Sequence, residues 1–269
     1  MNDQPRTKKS LGQHWLNDGA SLDAMVDAAG IGAGDIALEI GPGPGSLTRR
    51  LIDAVAGAGE VVAVEFDEQL AADLPRRVPA DNLRVVRSDI LTFDLTSLPA
   101  DYKLAANIPY YLTSNLIRTL SESSNPPRKA AIMVQKEVAE RVAAGPGAMS
   151  LLSVTAQYFW DVSLGRVVRA ELFVPPPKVD SQILILERRG VPLFPETNTK
   201  AFFRLVKAGF SERRKTLRNA LSGGLHLDKT SAEALLQAAA LDHGRRAQSL
   251  TLDEWHRLYL AWRIAEAAD

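Results

Sequence analysis

The stretch IALEIGPGPGS, residues 36–46, decides the fold of this chain. Its first five residues are mostly apolar and predict a buried β-strand, and the three glycines that follow predict a tight turn. An amphipathic stretch, Ser46–Ala56, then predicts a helix. Glycines let a backbone approach a ligand closely, and the start of a helix carries a partial positive charge. The stretch therefore predicts the first strand of a parallel sheet, with a ligand bound at the turn.

The same alternation continues along the first half of the chain. The further predicted strands are Val61–Phe66, Leu83–Arg87, Leu104–Asn107 and Ala130–Gln135. The helices predicted between and after them are Glu68–Arg76, Thr113–Leu120 and Lys136–Ala144. Nearly continuous apolar strands separated by helices indicate a parallel sheet that is covered on both faces. Such sheets bind ligands at the carboxyl ends of their strands.

The pattern changes after residue 150. Ser150–Trp160 predicts a helix, and Val162–Ala170 and Ile183–Arg188 predict two strands that add an antiparallel edge to the sheet. A proline-containing segment, Gly190–Asn198, has the composition of a linker. All later periodic segments predict helices: Lys200–Phe210, Lys215–Leu221, Ala232–Ala239 and Leu252–Ala267. We therefore predict two domains, an α/β domain over residues 1–192 and a small all-helical domain over residues 193–269.

Composition excludes several classes of protein. The 269 residues include 46% apolar residues and no cysteine, so disulfides and thiolate metal sites are excluded. The four histidines are widely spaced, and we expect no metal site. No apolar run reaches the roughly 20 residues of a membrane span, and the N-terminus does not resemble a signal peptide. We expect a cytoplasmic protein that does not associate with membranes.

Three acidic or glycine-containing strand ends point to one cofactor. The turn has the pattern G-x-G-x-G behind an acidic residue, which is typical of S-adenosylmethionine sites, whereas dinucleotide sites have G-x-G-x-x-G. Glu65 ends the second strand, where a carboxylate accepts ribose hydroxyls, although this spacing also fits NAD. Asp89 follows the third strand, where it could accept from an adenine amine or could cap a helix. Together they predict S-adenosylmethionine. The cofactor contacts predicted at these three strand ends are Gly41, Gly43, Glu65, Phe66, Asp89 and Ile90.

The fourth strand ends in Asn107-Ile108-Pro109-Tyr110. The lone pair of an adenine exocyclic amine is delocalised into the ring, so a methyl transfer to it needs positioning. The Asn107 side-chain oxygen and the Ile108 carbonyl can each accept one amine hydrogen, which draws the lone pair out of conjugation. Pro109 stiffens the turn, and Tyr110 offers a face for the base. In isolation, the same four residues also fit a turn with a buried tyrosine.

A base in such a pocket needs a second wall. Phe173 leads into the proline-rich segment 174–178, and prolines there could hold an exposed aromatic ring rigidly. We predict that Phe173 stacks on the target base. The alternative is a core phenylalanine before a loop.

These residues resemble the ribosomal RNA adenine dimethyltransferase family, and within it the KsgA type of the small ribosomal subunit. The resemblance runs over nearly the whole chain. The segments that carry it are Lys9–Asp18, Glu39–Thr48, Val64–Asp67, Ser88–Leu91, Asn107–Ser114, Gln135–Arg141, Phe173–Ser181, Phe210–Leu221 and Arg246–Trp255. The resemblance implies a class I S-adenosylmethionine methyltransferase of Rossmann-like α/β fold, and adds His14, Leu16 and Asn107 to the cofactor contacts.

The resemblance also implies a reaction and a partner. The family transfers two methyl groups to each of two adjacent adenosines near the 3′ end of small-subunit (16S) rRNA, late in subunit assembly and without a metal. The implied partner is the small ribosomal subunit precursor, and nothing in the chain suggests an obligate oligomer. The chain departs from the family's usual pattern at His14, where an asparagine is typical, and at Tyr111–Ser114.

Charge distribution favours an RNA contact in the helical part. The net charge is zero, yet residues 1–190 carry 20 basic and 23 acidic residues, whereas residues 191–269 carry 12 and 9. Phosphate contacts supply affinity without sequence information. We predict that the basic cluster, defined as Arg213, Arg214, Lys215 and Arg218, docks rRNA.

Two alternatives remain beside the small-subunit enzyme. An Erm-type enzyme, which methylates one adenosine of large-subunit rRNA, would share the catalytic domain. The segments 173–181 and 210–221 favour the small-subunit type. The second alternative is a ribosome-assembly factor that acts mainly by binding, against which the intact Asn107, Tyr110 and Glu65 argue.

Overall fold

The structure is a computed structural model, and it describes residues 12–191, 193–212 and 214–268. The chain folds into two packing units. Of the described residues, the first comprises 12–140 and 160–188, and the second comprises 141–159 and those from 189 to 268. Residues 141–159, which lie in the first predicted domain, therefore pack in the second unit. No helix in the described ranges is long and apolar enough to cross a membrane.

The described strands, in chain order, belong to the first unit. They are β1 (Trp15–Leu16), β2 (Ile36–Ile40), β3 (Glu60–Glu65), β4 (Leu83–Arg87), β5 (Lys103–Asn107), β6 (Lys129–Gln135), β7 (Trp160–Val168), β8 (Phe173–Val174) and β9 (Ser181–Arg188). The helices that accompany them are α1 (Gly19–Ala29), α2 (Ser46–Val55), α3 (Glu68–Arg77), α4 (Thr113–Glu122) and α5 (Lys136–Val142).

Seven strands form one sheet in the order β4-β3-β2-β5-β6-β9-β7. The ladders from β4 to β6 are parallel, and β9 pairs antiparallel with both β6 and β7. This arrangement confirms the predicted Rossmann-like sheet with its antiparallel edge. The central strands have the near-continuous burial of a sheet covered on both faces, since Ala37, Leu38 and Leu104 are fully buried.

The strand order brings the carboxyl ends of the parallel strands to one edge. Neighbouring strand ends pair in register, with Ile40 opposite Val64 and Ala106, and Glu65 opposite Arg87. At the same edge, Gln135 at the end of β6 lies opposite Ser181 at the start of β9. The residues that follow these strands are therefore brought together.

Helix α1 is not among the predicted elements. Asp18 caps it by accepting a hydrogen bond from the Ser21 backbone N–H at 2.9 Å, and Gly30 ends it with a left-handed backbone. Its buried face, Leu22, Met25, Val26 and Ala29, joins a core cluster with β1 and β8. These two short strands pair antiparallel, with Leu16 opposite Phe173, and were also not predicted.

The second unit is helical. Its helices, besides the end of α5, are α6 (Leu151–Phe159), α7 (Thr199–Gly209), α8 (Leu217–Leu225), α9 (Lys229–Ala238) and α10 (Leu252–Ala268). Large aromatic residues fill its core, and the ring centroids of Tyr158 and Phe202 lie 5.0 Å apart. At the start of α10 the Thr251 and Glu254 side chains accept from each other's backbone N–H, which is a capping box.

Candidate active site

A pocket of about 320 Å³ lies at the carboxyl edge of the parallel strands. Its walls come from the segment before α1 and from the ends of β2, β3, β4 and β5. The lining residues are Gly12, Gln13, His14, Trp15, Ile40, Gly41, Val64, Glu65, Phe66, Ser88, Asp89, Ile90, Leu91, Asn107, Ile108, Pro109, Tyr110, Tyr111, Leu112 and Asn115. The structure thus brings Gly41, Glu65 and Asp89, at the ends of three strands, into one pocket. The tetrapeptide 107–110 lines the same pocket.

The glycine turn after β2 requires its glycines. Gly41, Gly43 and Gly45 have φ angles of 65°, 54° and 87°, a left-handed region that disfavours other residues. A Cβ atom on Gly43 would lie 2.5 Å from the Trp15 ring. Gly41 lines the pocket, and a Cβ there would meet only the Asn107 carbonyl oxygen, at 4.0 Å. The turn therefore packs closely on Trp15 and presents bare backbone to the pocket at Gly41.

Glu65 is held by backbone hydrogen bonds at the end of β3. Its carboxylate accepts from the Gly43 N–H at 3.2 Å and from the Asp67 N–H at 2.8 Å. Burial raises the pKa of Glu65, and the two backbone hydrogen bonds act in the opposite direction. The group is an oriented acceptor in the pocket wall.

Glu39 lies one strand away and is more deeply buried, with 1% of its surface exposed. Burial raises the pKa of Glu39 to about 8, and the nearby negative charge of Glu65 adds to this rise. Its Oε2 atom has no hydrogen-bond partner among the described residues. A pKa of about 8 favours the protonated form of Glu39 at neutral pH, unlike that of an ordinary glutamate.

Asp89 follows β4 and orders the turn beyond it. Its Oδ1 accepts from the Leu91 N–H at 2.9 Å, and residues 90–92 form a turn, so Asp89 orders a turn and does not cap a helix. That bond engages one carboxylate oxygen. Two apolar side chains lie beside the acidic residues in the pocket wall: Ile90, which is buried, and Phe66, which is 62% exposed. Acidic acceptors with apolar neighbours suit an adenosine group.

Asn107 ends β5 and is fixed by its amide nitrogen. Nδ2 donates to the His14 carbonyl oxygen at 3.3 Å. This contact uses the amide N–H of Asn107 as donor, so it leaves the side-chain oxygen able to accept another hydrogen bond. A short 3₁₀ helix, Tyr110–Leu112, follows Pro109, and the Thr113 hydroxyl donates to the Tyr110 carbonyl at 2.9 Å. The tetrapeptide is therefore a rigid turn in the pocket wall.

Tyr110 is anchored at its hydroxyl. The hydroxyl lies 2.7 Å from the Ser181 Oγ at the start of β9, and burial raises the pKa of Tyr110. The Tyr110 and His14 rings are nearly parallel, with an angle of 17° and a centroid separation of 6.1 Å. The tyrosine is thus a fixed aromatic surface, and its raised pKa disfavours the ionised form of the hydroxyl.

His14 links three segments of the chain. Its Nδ1 lies 2.7 Å from the Pro175 carbonyl oxygen, its own carbonyl accepts from Asn107, and its ring faces Tyr110. The histidine that replaces the family's usual asparagine therefore joins the N-terminal segment, the tetrapeptide and the proline-rich segment.

The sequence of the chain matches the profile of a known family. The profile of the family described as ribosomal RNA adenine dimethylase matches residues 4–261. The chain belongs to this family. That membership confirms the resemblance inferred from the sequence motifs, and with it a methyltransferase that uses S-adenosylmethionine.

Named relatives give the same result. The "Ribosomal RNA small subunit methyltransferase A" of Dehalococcoides mccartyi is 40% identical over 261 residues, which are 96% of this chain and 89% of that protein. The protein of the same name from Enterococcus faecalis is 40% identical over 264 residues, covering 93% and 88%.

Two solved structures have the same fold over nearly their whole length. A dimethyladenosine transferase from Plasmodium falciparum has a TM-score of 0.74 at 26% identity, covering 93% of this chain and 98% of that one. The 23S rRNA methyltransferase ErmE has a TM-score of 0.72 at 27% identity, covering 92% and 98%.

Phe173 is not in the pocket wall of this adenine dimethylase. Only 1% of its surface is exposed, and it packs in the core cluster beneath α1. It pairs with Leu16, which is 2% exposed and also absent from the pocket lining. The predicted exposed stacking wall is therefore wrong for this structure, because pairing of β1 with β8 buries both side chains. The alternative, a core phenylalanine before a loop, is the one observed.

Several pocket residues were not predicted from the sequence. They are Gln13, Trp15, Ser88, Leu91, Tyr111 and Asn115, among others. Tyr111 had a sequence signal, since it follows the tetrapeptide directly and begins the stretch Tyr111–Ser114 that departs from the family's usual pattern. Trp15 had none, because its contact with Gly43 joins segments that are distant in sequence.

The basic cluster divides in the structure. Arg213 lies outside the described residues. Arg214 and Lys215 are exposed, whereas Arg218 is half-buried and forms an ion pair with Glu233 at 2.9 Å. Arg218 is thus engaged within the helical unit, and Arg214 and Lys215 remain candidates for phosphate contacts.

The groups that line the pocket fit S-adenosylmethionine. An adenosine and an amino-acid tail require what the pocket provides: positive-φ glycine backbone, an oriented buried carboxylate, a second carboxylate and apolar walls. Among the described residues, no group of His, Cys, Asp or Glu could hold a metal ion.

Proposed function

We propose that this chain dimethylates the exocyclic amines of two adjacent adenosines near the 3′ end of small-subunit (16S) rRNA, acting on the small-subunit precursor. The observation that carries the proposal is the placement of Asn107. Its amide is oriented by the His14 carbonyl, in the same pocket wall as Glu65 and Asp89. Acceptor groups for an amine and acceptor groups for an adenosine cofactor thus share one pocket.

The cofactor would be held by the strand ends. Glu65 would accept from the ribose hydroxyls and Asp89 from the adenine amine, while Phe66 and Ile90 would contact the adenine faces. The backbone at Gly41 would approach the amino-acid tail. S-adenosylmethionine supplies a methyl group on a sulfonium, an electrophile that needs no further activation by the protein.

The tetrapeptide would prepare the nucleophile. The Asn107 side-chain oxygen and the Ile108 carbonyl oxygen would each accept one amine hydrogen, making the nitrogen more tetrahedral and exposing its lone pair. Tyr110, anchored at Ser181, would support the face of the base. An asparagine cannot take the proton, which would therefore leave to solvent after the methyl group has been transferred.

The choice of subunit rests on similarity and on charge. The 40% identical relatives are named for the small subunit, whereas ErmE, named for 23S rRNA, is 27% identical. Residues 193–269 would form the rRNA-binding domain, with Arg214 and Lys215 on phosphates. We propose a monomer that acts in the cytoplasm. The Erm-type activity and a binding-only assembly role are the alternatives, and a methyl-transfer assay separates them.

The test is transfer of tritiated methyl groups to immature small subunits, large subunits and free rRNA in parallel. We expect transfer to small-subunit rRNA, and a loss of at least about 10²-fold in Asn107→Ala, because a positioning hydrogen bond to the reacting group is removed. Asn82→Ala is the matched control, since that asparagine donates to the Ala56 carbonyl, outside the pocket lining.

Each alternative has its own result. Preferential methylation of large subunits would establish the Erm-type activity. Binding of small subunits without any transfer would establish the binding-only role. Near wild-type transfer by Asn107→Ala would refute the mechanism while leaving the target assignment standing.

A further inference from the structure

An exposed aromatic ring stands in the pocket wall directly after the tetrapeptide. Tyr111 is 64% exposed, although it lines the same pocket as Asn107 and Tyr110. Exposed aromatic side chains provide flat surfaces on which nucleic-acid bases stack. The buried Phe173 cannot serve in this way in the structure, so the pocket offers Tyr111 as an aromatic surface outside the reacting position.

The backbone beneath Tyr111 is well supported. It belongs to the 3₁₀ helix Tyr110–Leu112, in which the Leu112 N–H donates to the Pro109 carbonyl at 3.0 Å. A Cβ atom at Gly12 would lie 3.7 Å from the Tyr111 ring and 3.6 Å from Pro109. The N-terminal segment therefore runs beside one part of the ring and leaves most of the side chain open to a ligand.

Tyr110 and Tyr111 are placed for different partners. The Tyr110 hydroxyl is tied to Ser181, and its ring is half-buried and faces His14. No comparable anchor of the Tyr111 hydroxyl exists among the described residues, and its ring reaches solvent. A base drawn into the pocket would meet Tyr110, and the next base along the strand, still outside, would meet Tyr111.

We propose that Tyr111 stacks on the nucleotide base next to the adenosine being methylated. The proposal rests on the proposed function and deepens it. A base taken out of its stack leaves the face of its neighbour uncovered, which costs energy. An exposed ring at the pocket rim would cover that face and offset the cost. The two target adenosines are adjacent, and each must occupy the pocket in turn. In one of these two complexes, the base stacked on Tyr111 would therefore be the other target adenosine.

The test compares Tyr111→Ala, Tyr111→Leu and Tyr111→Phe. The measured quantity is kcat/KM for whichever rRNA particle the wild-type protein methylates. We expect a decrease of about tenfold in the alanine and leucine variants, as for the loss of one stacked base, and a value within about twofold of wild type for phenylalanine. Leucine keeps apolar bulk without a flat ring, and phenylalanine keeps the ring without the hydroxyl.

A second measurement excludes a merely structural effect. The Kd for S-adenosylhomocysteine should stay within about twofold of wild type in all three variants. The proposal is overturned if leucine supports wild-type kcat/KM, or if the decrease in kcat/KM is matched by a decrease in S-adenosylhomocysteine affinity. Failure of the proposed function looks different, since the wild-type protein itself would then transfer no methyl group to any rRNA particle.

Discussion

Glu39 and Glu65 are buried beneath the same glycine turn, but their hydrogen bonds differ. Glu65 accepts from two backbone N–H groups, whereas Glu39 keeps one oxygen without a partner among the described residues. An ionised carboxylate with an unsatisfied oxygen is costly to bury. The structure therefore favours a neutral Glu39 beside a Glu65 that is arranged to accept hydrogen bonds.

This difference predicts a pH dependence of stability. The pKa of Glu39 is about 8 in the folded chain, against an ordinary value of 4.5. Between these two pH values the folded state binds more protons than the unfolded state, so the free energy of unfolding falls as pH rises. The slope for one proton is at most about 1.4 kcal/mol per pH unit. Glu39→Gln should remove this contribution and raise stability most at pH 8.

Urea unfolding at several pH values from 5 to 8 measures the effect. Glu137→Gln, at an exposed position of the same packing unit, is the matched control and should track the wild-type curve. Some slope will remain in Glu39→Gln, because burial also raises the pKa of Glu65. Parallel curves for wild type and Glu39→Gln would show that Glu39 is ionised in the folded state.

At the scale of elements, the turn between β2 and α2 combines two constraints. Gly41 and Gly43 both have positive φ angles, so any other residue is strained at either position. Of these two glycines, Gly43 also lacks room, because the Trp15 ring occupies the place of a side chain. Strain and steric contact are thus separable within a single turn.

We predict that Gly43→Ala destabilises the chain more than Gly41→Ala. The strain alone costs about 1–2 kcal/mol at each position, and displacement of the Trp15 ring adds about 1–3 kcal/mol at Gly43, as overpacking does elsewhere. Because Trp15 lines the pocket, Gly43→Ala should also weaken S-adenosylhomocysteine binding.

Urea unfolding of both variants at one pH checks the prediction. Gly34→Ala is a useful third variant, since its φ is 83° and nothing lies within 4 Å of the added Cβ. It should behave as a strain-only substitution. Equal decreases in stability at Gly43 and Gly34 would mean that Trp15 moves aside without cost.

At the scale of the whole molecule, the charge is balanced overall but uneven along the chain. The basic residues outnumber the acidic ones only in the part of the chain after residue 190. Within the basic cluster, Arg214 and Lys215 are exposed. Exposed cations that contact phosphates release bound counterions, which makes binding depend on salt. Arg218, paired with Glu233, should contribute little to this dependence.

We predict that Arg214→Glu combined with Lys215→Glu weakens binding to small subunits and flattens its salt dependence. The slope of log K against log salt should fall in magnitude by about 0.7–0.9 for each phosphate that the variant no longer neutralises. Arg218→Ala is the internal comparison and should keep the wild-type slope. Binding measured by filtration across a salt series tests this prediction, and an unchanged slope in the double variant would remove these residues from the interface.

The order of strands and helices could be predicted because the signals are local. Strand periodicity, the glycine turn and the residues after each strand located the sheet and about half of the pocket lining, and the observed strand bounds differ from the predicted ones by only a few residues. Helix α1 had a usable signal, a capping aspartate and a helical apolar spacing, that did not enter the prediction. Pairs such as β1 and β8 carry too few residues for a pattern.

The sequence by itself determined the family, the cofactor class and the residues at the strand ends, since these depend on short motifs. Only the tertiary structure decided which side chains reach the pocket. Burial of Phe173, exposure of Tyr111 and the contact of His14 with Pro175, 161 residues away, depend on how distant segments pack. The physical reason is that a local pattern specifies whether a residue is apolar and in a strand, whereas the partner that covers it is set by packing.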